Sequence, residues 1–379
     1  MTDPGTEVLR TPAADLLALT AALIAVPSVS LHEGALADAI EARLRAGAGA
    51  CTVTRIRNTI VARTDLGLPR RMLLGGHLDT VPANGNAEPR FDGDTLYGLG
   101  SADMKGALAA LLRIAEAATA APTRLRADVT LVFYEAEEIA EAHNGLRHLF
   151  EVAPDLLTAD LAVLLEPTDG WVEAGCQGTT HVRATYRGAR AHSARPWTGE
   201  NAIHRASAAI ARAAAAADAV PELFVDDLPF RQALQVVRVE GGIANNVVPD
   251  ACSITVNRRF APSLSLADVR AELEGLFADA DEIEYLNESI GAPPNLMNPV
   301  VAEFIGTLDL GVRPKLGWTD VARFAAAGIP ALNFGPGDPL LAHTQGEHVT
   351  RAALDGTYRA LAWFLGLVPD APGEDAPRA

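Results

Sequence analysis

The sequence predicts an α/β fold with a site along one edge of its central sheet, and a smaller α+β domain inserted in the chain. Strand-like apolar runs alternate with helix-like segments between residues 13 and 168, which is typical of α/β sheets. Several of these runs end in acids, as in "DVTLVFYEAEE" (128–138) and "ADLAVLLEPT" (159–168). Ligands bind at the carboxyl ends of strands in such sheets, so these acids mark the candidate site.

The elements before the insert follow from periodicity and composition. Ser30 and Glu33 are spaced as a capping box for the second helix. The expected elements are helices at 13–26 and 32–46, strands at 51–56, 59–64 and 71–77, a helix at 104–120, and strands at 128–138 and 159–168.

Composition changes near "EAGCQGTT" (173–180), where Gly175 and Gly178 could allow a hinge. About a hundred residues of α+β character follow, a usual size for a domain. The expected elements are a strand at 179–187, an alanine-rich helix at 201–219, strands at 234–240 and 251–259, and a helix at 265–279. The helix–strand pattern resumes near 296, a last helix is expected over 351–366, and the final residues "PDAPGEDAPRA" have a disordered composition.

The whole-chain composition restricts the classes of function. A chain of 379 residues with 49% hydrophobic residues can bury two cores. The net charge of −17 disfavours nucleic acid and anionic membranes as partners. The three cysteines are odd in number and far apart, and no secretory signal is evident, so we expect a reducing, cytoplasmic location.

The stretch "GGHLDTVP" (75–82) places His77 and Asp79 one residue apart at the end of a strand. Side chains alternate along a strand, so the two residues point the same way. Alone, such a pair is more often a satisfied surface pair than part of a functional site. It gains meaning because further acids and a histidine follow other apolar runs: Asp103, Glu137, Glu138, Glu166 and His343.

Clustered carboxylates repel one another unless a cation lies between them. Mixed histidine and carboxylate ligands suit zinc, and two Zn²⁺ ions would balance Asp103, Glu138, Glu166 and a bridging hydroxide. Asp79 is then left to orient His77 from behind. Glu137 is left beside the ligand Glu138, where a carboxylate can act as a general base.

These motifs, together with "YGLGSADMKG" and "AHTQGEH", resemble the di-zinc aminoacylase and carboxypeptidase family. The resemblance covers nearly the whole chain in order. It implies a di-zinc peptidase-like catalytic domain with a mixed central sheet, formed by 1–177 and 291–379. It also implies that 178–290 form an inserted α+β lid and dimerisation domain, and that the protein is a homodimer.

The resemblance also implies ligand sets for the two zinc ions, with cobalt as a substitute. His77 and Glu166 would hold one ion, Glu138 and His343 would hold the other, and Asp103 would bridge them. Asp79 and Glu137 would be catalytic, with Glu137 as the base, and the Asp103–Met104 peptide bond would be cis. His348 is the alternative to His343, which we prefer because "PGDPLLAH" leads into it.

Within the family, "RAHSARPWTGENAIH", "NNVVPDACSITVNRRFAP" and "GWTDVARF" resemble the actinobacterial desuccinylase subgroup. This implies hydrolysis of N-succinyl-LL-2,6-diaminopimelate, a small molecule with several carboxylates, to succinate and LL-2,6-diaminopimelate in lysine biosynthesis. The alternatives are acetylornithine deacetylation, another N-acyl-amino-acid amidohydrolase or carboxypeptidase activity, and a binding protein that has lost the chemistry.

Substrate-binding residues are also implied by the resemblance. His192 would reach the partner subunit's site and polarise the scissile carbonyl, with Asn246 assisting. Arg259 would bind a substrate carboxylate, for which a planar guanidinium is suited. Thr319 and Asp320 are further pocket candidates.

Overall fold

The computed structural model describes residues 4–47, 49 and 51–369, so most of the tail predicted at 369–379 lies outside the described residues. The helices are α1 (Pro4–Arg10), α2 (Leu16–Ile24), α3 (Gly34–Ala46), α4 (Gly106–Ala120), α5 (Gly145–Val152), α6 (Ala202–Ala219), α7 (Leu266–Leu276), α8 (Pro299–Leu308), α9 (Val321–Ala326) and α10 (Arg351–Phe364).

The strands are β1 (Cys51–Ile56), β2 (Thr59–Thr64), β3 (Arg71–His77), β4 (Arg90–Asp92), β5 (Thr95–Tyr97), β6 (Asp128–Tyr134), β7 (Leu161–Leu164), β8 (Val172–Ala174), β9 (Gly178–Arg187), β10 (Ala191–His192), β11 (Glu222–Val225), β12 (Leu228–Arg231), β13 (Ala233–Gly241), β14 (Val247–Val248), β15 (Ala251–Phe260), β16 (Glu282–Ser289), β17 (Val312–Pro314), β18 (Ala331–Asn333) and β19 (His348–Thr350).

The chain divides into two compact units. The first comprises the described residues of Met1–Ala174, Asn295–Arg313 and Arg323–Ala379. The second comprises Gly175–Pro294 and Pro314–Ala322. The second unit therefore includes a short segment from the C-terminal part of the chain, whereas the sequence predicts a continuous insert over 178–290.

The first unit is built on an eight-stranded sheet with the order β1-β2-β6-β3-β7-β18-β8-β17. β3 runs parallel to β6 and β7, and β18 runs parallel to β7. β1, β2 and β6 pair in antiparallel fashion, as do β18 and β8. The predicted mixed α/β sheet is confirmed.

Burial explains why the sequences of the central strands are continuous apolar runs. Every residue of β6 is buried, as is every residue of β3 after Arg71. Helix α4 packs against both strands and buries most of its leucines and alanines. A strand that is covered on both faces has no solvent side that would call for polar residues. Among the described residues, no helix combines the length and apolar character needed to cross a bilayer.

The second unit is a four-stranded antiparallel sheet with the order β13-β15-β9-β16. Helices α6 and α7 cover one face of it, over a core that includes Val182, Ile254 and Val256. The buried positions of α6 are Ala202, Ala206, Ala209 and Ala213, a small-residue stripe that lets the helix approach the sheet closely. β16 is not predicted from the sequence, because its half-exposed "EIEYLNES" lacks an apolar run.

Most predicted elements are confirmed, and the bounds predicted for β1, β2 and β3 are those observed. The predicted capping box is wrong. α3 begins at Gly34, and neither Ser30 nor Glu33 caps it through its side chain. Ser30 instead donates its hydroxyl hydrogen to Asp79 at 2.7 Å, so this loop serves the edge of the sheet rather than the helix.

Candidate metal centre

Parallel strands bring the predicted ligands to one edge of the central sheet. β3 ends at His77, and the pair Glu137–Glu138 comes shortly after the end of β6. Glu166 follows the end of β7 at Leu164. Because β3 pairs in parallel with both β6 and β7, the carboxyl ends of all three strands meet at the same edge.

His77 is almost completely buried, with 1% of its surface exposed. Its Nε2 atom lies 3.0 Å from Oδ1 of Asp103, and its Nδ1 atom lies 3.0 Å from the backbone oxygen of Asp79. The Met104 side chain packs closely against the backbone next to His77. Residue 76 is therefore glycine, because a Cβ atom on Gly76 would lie 2.9 Å from the Met104 side chain. The imidazole is therefore held from both nitrogens.

Asp79 contacts His77 in a different way from the one the sequence predicts. Its carboxylate lies 3.6 Å from Nδ1 of His77, which is longer than a hydrogen bond. The carboxylate instead accepts hydrogen bonds from the backbone N–H groups of Glu137 at 2.9 Å and Glu138 at 3.1 Å. Asp79 thus orients His77 mainly through its carbonyl oxygen, and its side chain holds the turn after β6.

Asp103 lies on a loop that a second buried carboxylate holds. The Asp103–Met104 peptide bond is cis, as the family resemblance implies. The side chain of Glu347 accepts hydrogen bonds from the N–H groups of Ala102 and Asp103 at 3.0 Å and of Gly100 at 3.1 Å. Glu347 is not among the predicted site residues, although it lies within the motif "AHTQGEH".

His343 lies across the cluster from His77. Its Nε2 atom is 2.9 Å from Oε1 of Glu138 and 3.5 Å from Oδ2 of Asp103. Half of its side chain is exposed, and its backbone is left-handed with φ of 63°. His348, the alternative, contacts the carbonyl of Gly346 and stacks on Tyr97. Among the described residues, the structure thus brings His343 to the cluster and leaves His348 outside it.

The described residues include three groups whose ligand atoms lie within 4.8 Å of one another. Two of these groups share Asp103, the first with His77 and Glu166 and the second with Glu138 and His343. The third combines His77 with Glu137 and Glu138. Two overlapping groups with one common carboxylate have the arrangement needed for a pair of metal ions with a bridging ligand.

The charges of the cluster favour bound cations. Hydrogen bonds to Asp103 and Glu138 raise the pKa of His343 to about 10. Burial acts to lower the pKa of His77, but the hydrogen bond to Asp103 and the charges of Asp103, Asp79 and Glu166 together outweigh it and raise that pKa well above its usual value. Divalent cations could replace these protons and supply more positive charge. Imidazole nitrogens with carboxylate oxygens are donors that suit zinc, so the residues fit two metal ions.

The remaining predicted site residues lie in the second unit. Arg259 is on β15, and its guanidinium forms no hydrogen bond or ion pair within the described part of the chain. Burial lowers its pKa. Thr319 and Asp320 are buried, and the carbonyl of Thr319 accepts a weak hydrogen bond from Cys176 at 3.7 Å. Burial raises the pKa of the Cys176 thiol to about 11, which opposes a role as a nucleophile.

A two-residue ladder brings His192 and Asn246 together. His192 pairs with Val247 between β10 and β14, and the N–H of Ser193 donates to the carbonyl of Asn246 at 2.9 Å. The imidazole of His192 is exposed, and its Nδ1 atom accepts a hydrogen bond from the N–H of Ala194 at 3.0 Å. The neutral ring therefore carries its proton on Nε2, where it can donate.

The sequence is similar to several curated proteins. A relative from Mycobacterium tuberculosis H37Rv, provisionally named succinyl-diaminopimelate desuccinylase DapE, is 46% identical over 353 residues, covering 93% of this chain and 98% of the relative. A succinyl-diaminopimelate desuccinylase from Corynebacterium glutamicum is 44% identical and covers 91% of this chain and 93% of the relative.

Solved structures share the fold at low sequence identity. The M20 family metallo-carboxypeptidase Sso-CP2 from Sulfolobus solfataricus has a TM-score of 0.75 at 17% identity, covering 93% of this chain and 99% of that one. The Bacillus subtilis YXEP protein, described as a dinuclear metal-binding peptidase, has a TM-score of 0.66 at 15% identity and covers 94% and 97%. The model of peptidase family M20/M25/M40 matches residues 73–366, and the chain therefore belongs to this family.

Proposed function

We propose that the protein is a metal-dependent amidohydrolase that cleaves N-succinyl-LL-2,6-diaminopimelate into succinate and LL-2,6-diaminopimelate. The observation that carries the proposal is the pair of ligand groups that share Asp103 at the carboxyl edge of the sheet. The names of the relatives at 44–46% identity support the choice of substrate.

The metal ligands follow from the two overlapping groups. His77 and Glu166 would hold one ion, Glu138 and His343 the other, and Asp103 both. We propose zinc as the native metal, with cobalt as a substitute, because nitrogen and carboxylate donors accept both. When bound, two such ions supply a Lewis acid for the scissile carbonyl and lower the pKa of a water molecule.

Glu137 would move the proton. It adjoins the proposed ligand Glu138, and both backbone N–H groups are held by Asp79. The Glu137 carboxylate would take a proton from the attacking water while the water oxygen bonds to the succinyl carbonyl carbon. When the C–N bond breaks, Glu137 would return that proton to the departing amine nitrogen.

Residues of the second unit would recognise the substrate. The Arg259 guanidinium has a planar fork that matches a carboxylate, and no side chain of the described residues competes for it. The Nε2–H of His192 would donate to the scissile carbonyl oxygen, with Asn246 beside it. Thr319 and Asp320 are further pocket candidates, since both are buried in the same unit.

We further propose that the protein is a cytoplasmic homodimer in which His192 serves the partner's site. The second unit supports this proposal through β13, an edge strand of its sheet on which Val237 and Val239 are each more than half exposed. An apolar sheet edge of this kind is a surface that commonly pairs with another chain. A second copy of the same chain would cover it symmetrically.

A substrate panel on zinc-loaded and chelated protein tests the function. The panel contains N-succinyl-LL-2,6-diaminopimelate, N-acetylornithine and simple dipeptides, and kcat/KM is measured for each. We expect the succinylated substrate to exceed the others by about 100-fold or more, because a site that pairs buried polar groups rejects ligands lacking them. Chelation should abolish turnover, and zinc or cobalt should restore it.

Three outcomes would reject the proposal. A higher kcat/KM for acetylornithine or a dipeptide would assign the protein to another activity of the family. Full turnover by protein that elemental analysis shows to be free of metal would remove the metal from the chemistry. Tight binding of the substrate without turnover by fully metal-loaded protein would favour a binding role.

A further inference from the structure

Two buried carboxylates receive three consecutive backbone N–H groups of the turn after β6. Oε1 of Glu33 accepts the N–H of Ala136 at 3.1 Å. The carboxylate of Asp79 accepts the next two, from Glu137 at 2.9 Å and Glu138 at 3.1 Å. Glu33 and Asp79 have no solvent exposure, so both are permanent parts of the interior rather than mobile surface groups.

Glu33 acts at the residue where the turn changes direction. Ala136 has φ of 57°, in the left-handed region that alanine rarely adopts, and it is 1% exposed. A backbone of this kind persists where the surroundings hold it in place. The hydrogen bond from Ala136 to Glu33 is such a constraint, and it lies one residue before Glu137.

The hydrogen bonds of the Glu33 side chain show that the turn depends on a single acceptor oxygen. Oε1 also accepts the N–H of Leu31 at 3.0 Å, within the loop that carries Glu33. Oε2 is buried and has no hydrogen-bond partner among the described residues. One oxygen therefore ties the loop before α3 to the turn after β6, about a hundred residues later in the chain.

We propose that Glu33 is a positioning residue for Glu137. By holding Ala136 in its left-handed conformation, it fixes the direction in which the chain enters Glu137 and so the place of the Glu137 carboxylate. The inference rests on the proposed function in taking Glu137 as the general base. Small displacements of a catalytic group lower turnover strongly, whereas substrate binding depends on other residues.

Three substitutions separate the acceptor oxygen from the charge. Glu33→Gln keeps an oxygen at the position of Oε1 and places its NH₂ where Oε2 has no hydrogen-bond partner to lose among the described residues. Glu33→Asp keeps the charge but is one methylene too short to reach Ala136. Glu33→Ala removes both. The matched control is Glu135→Gln, a buried carboxylate in the same turn that accepts from Asn58 instead.

The readouts are kcat, KM, metal content and amide hydrogen exchange of residues 134–139, all on metal-loaded protein. We expect Glu33→Ala and Glu33→Asp to lower kcat by about 10- to 100-fold with KM within about threefold and two metals retained. Exchange of the Ala136 amide should accelerate by about tenfold or more in both. Glu33→Gln should stay within about threefold of wild type in both measurements, as should Glu135→Gln.

Hydrogen exchange reports on the turn even if the substrate proposal fails, so the two failures can be told apart. A Glu33→Gln variant as impaired as Glu33→Asp would show that the charge matters and would overturn the acceptor role. Loss of metal in proportion to kcat would place the effect on the ligands instead. An equal loss of kcat in Glu135→Gln would mean that any change in this turn suffices, and would also overturn the proposal.

Discussion

The carboxylate of Asp79 accepts the backbone N–H of Glu137 at 2.9 Å, and this bond joins the ends of two parallel strands. Asp79 follows β3 and Glu137 follows β6. The same carboxylate accepts the hydroxyl of Ser30 at 2.7 Å. One buried acid therefore sets the relative positions of the segment that carries His77 and the segment that carries the proposed base.

The two adjacent acids of this turn should give different phenotypes. We expect Glu137→Ala to retain two metals and lose turnover by about 100-fold or more, because a general base contributes that much. Glu138→Ala should lose one metal, because Glu138 contacts His343 within one of the ligand groups. Metal analysis and kcat of both variants check this, and an exchange of the two phenotypes would reverse the roles of the residues.

Arg259 should be sensitive to the shape of its head group as well as its charge. Arg259→Lys keeps a cation but loses the planar fork, so we expect KM for the succinylated substrate to rise about tenfold or more. Arg187→Lys is the control, because Arg187 pairs with Glu282 at the surface, and its KM should not change. Unchanged kinetics in Arg259→Lys would assign the carboxylate to another group.

The ligand cluster could be predicted because its residues are histidines and acids at recognisable places in the sequence. His77, Glu138 and Glu166 each end or follow an apolar strand, and parallel strands bring such ends together. Glu33 and Glu347 could not be predicted in the same way. They accept hydrogen bonds from backbone N–H groups, which every non-proline residue has. The residue types of their partners therefore do not reveal these contacts in the sequence.

Predictions from local sequence spacing were also wrong where hydrogen bonds to distant segments determined the side-chain positions. The spacing of Ser30 and Glu33 fits a capping box, yet both side chains turn to the sheet edge. Alternation correctly indicates that His77 and Asp79 lie on one side of the chain, but the turn after β6 offers the Asp79 carboxylate better donors than the imidazole. Which of several donors an acid selects depends on segments distant in sequence.

Asp128 should make stability dependent on acid pH. Burial acts to raise its pKa, but hydrogen bonds from Leu66, Thr64 and Leu68 outweigh this and lower it. Its contribution is thus complete above the unfolded-state pKa of about 3.9 and is lost as pH falls through the lower folded-state pKa.

Asp128→Asn presents an NH₂ group to one of these donors. We expect it to reduce the free energy of unfolding at pH 7 by about 1–3 kcal/mol. The difference from wild type should begin to shrink below about pH 4, where the Asp128 carboxylate of the unfolded state takes up a proton, and should be lost as pH falls through the lower folded-state pKa. Urea unfolding of both metal-free proteins at pH 7 and pH 3 measures this. A difference that does not change with pH would mean that the Asp128 charge contributes nothing.

The crossed site of the proposed dimer can be tested by complementation. Glu137 lies in the first unit and His192 in the second, so one substitution can be placed in each. Glu137→Ala and His192→Ala subunits should each be nearly inactive alone. If His192 serves the partner's site, a mixed dimer has one site with both defects and one with neither.

Random pairing makes half of the dimers mixed, so co-expression should restore about a quarter of wild-type activity per dimer. Separately purified variants that are mixed without subunit exchange are the control and should stay inactive. Dimers carrying a different affinity tag on each subunit allow the mixed species to be isolated, and these should have about half of wild-type activity. If His192 instead acted within its own subunit, each mixed dimer would hold two sites with one defect each. Purified mixed dimers as inactive as both parents would therefore exclude the crossed arrangement.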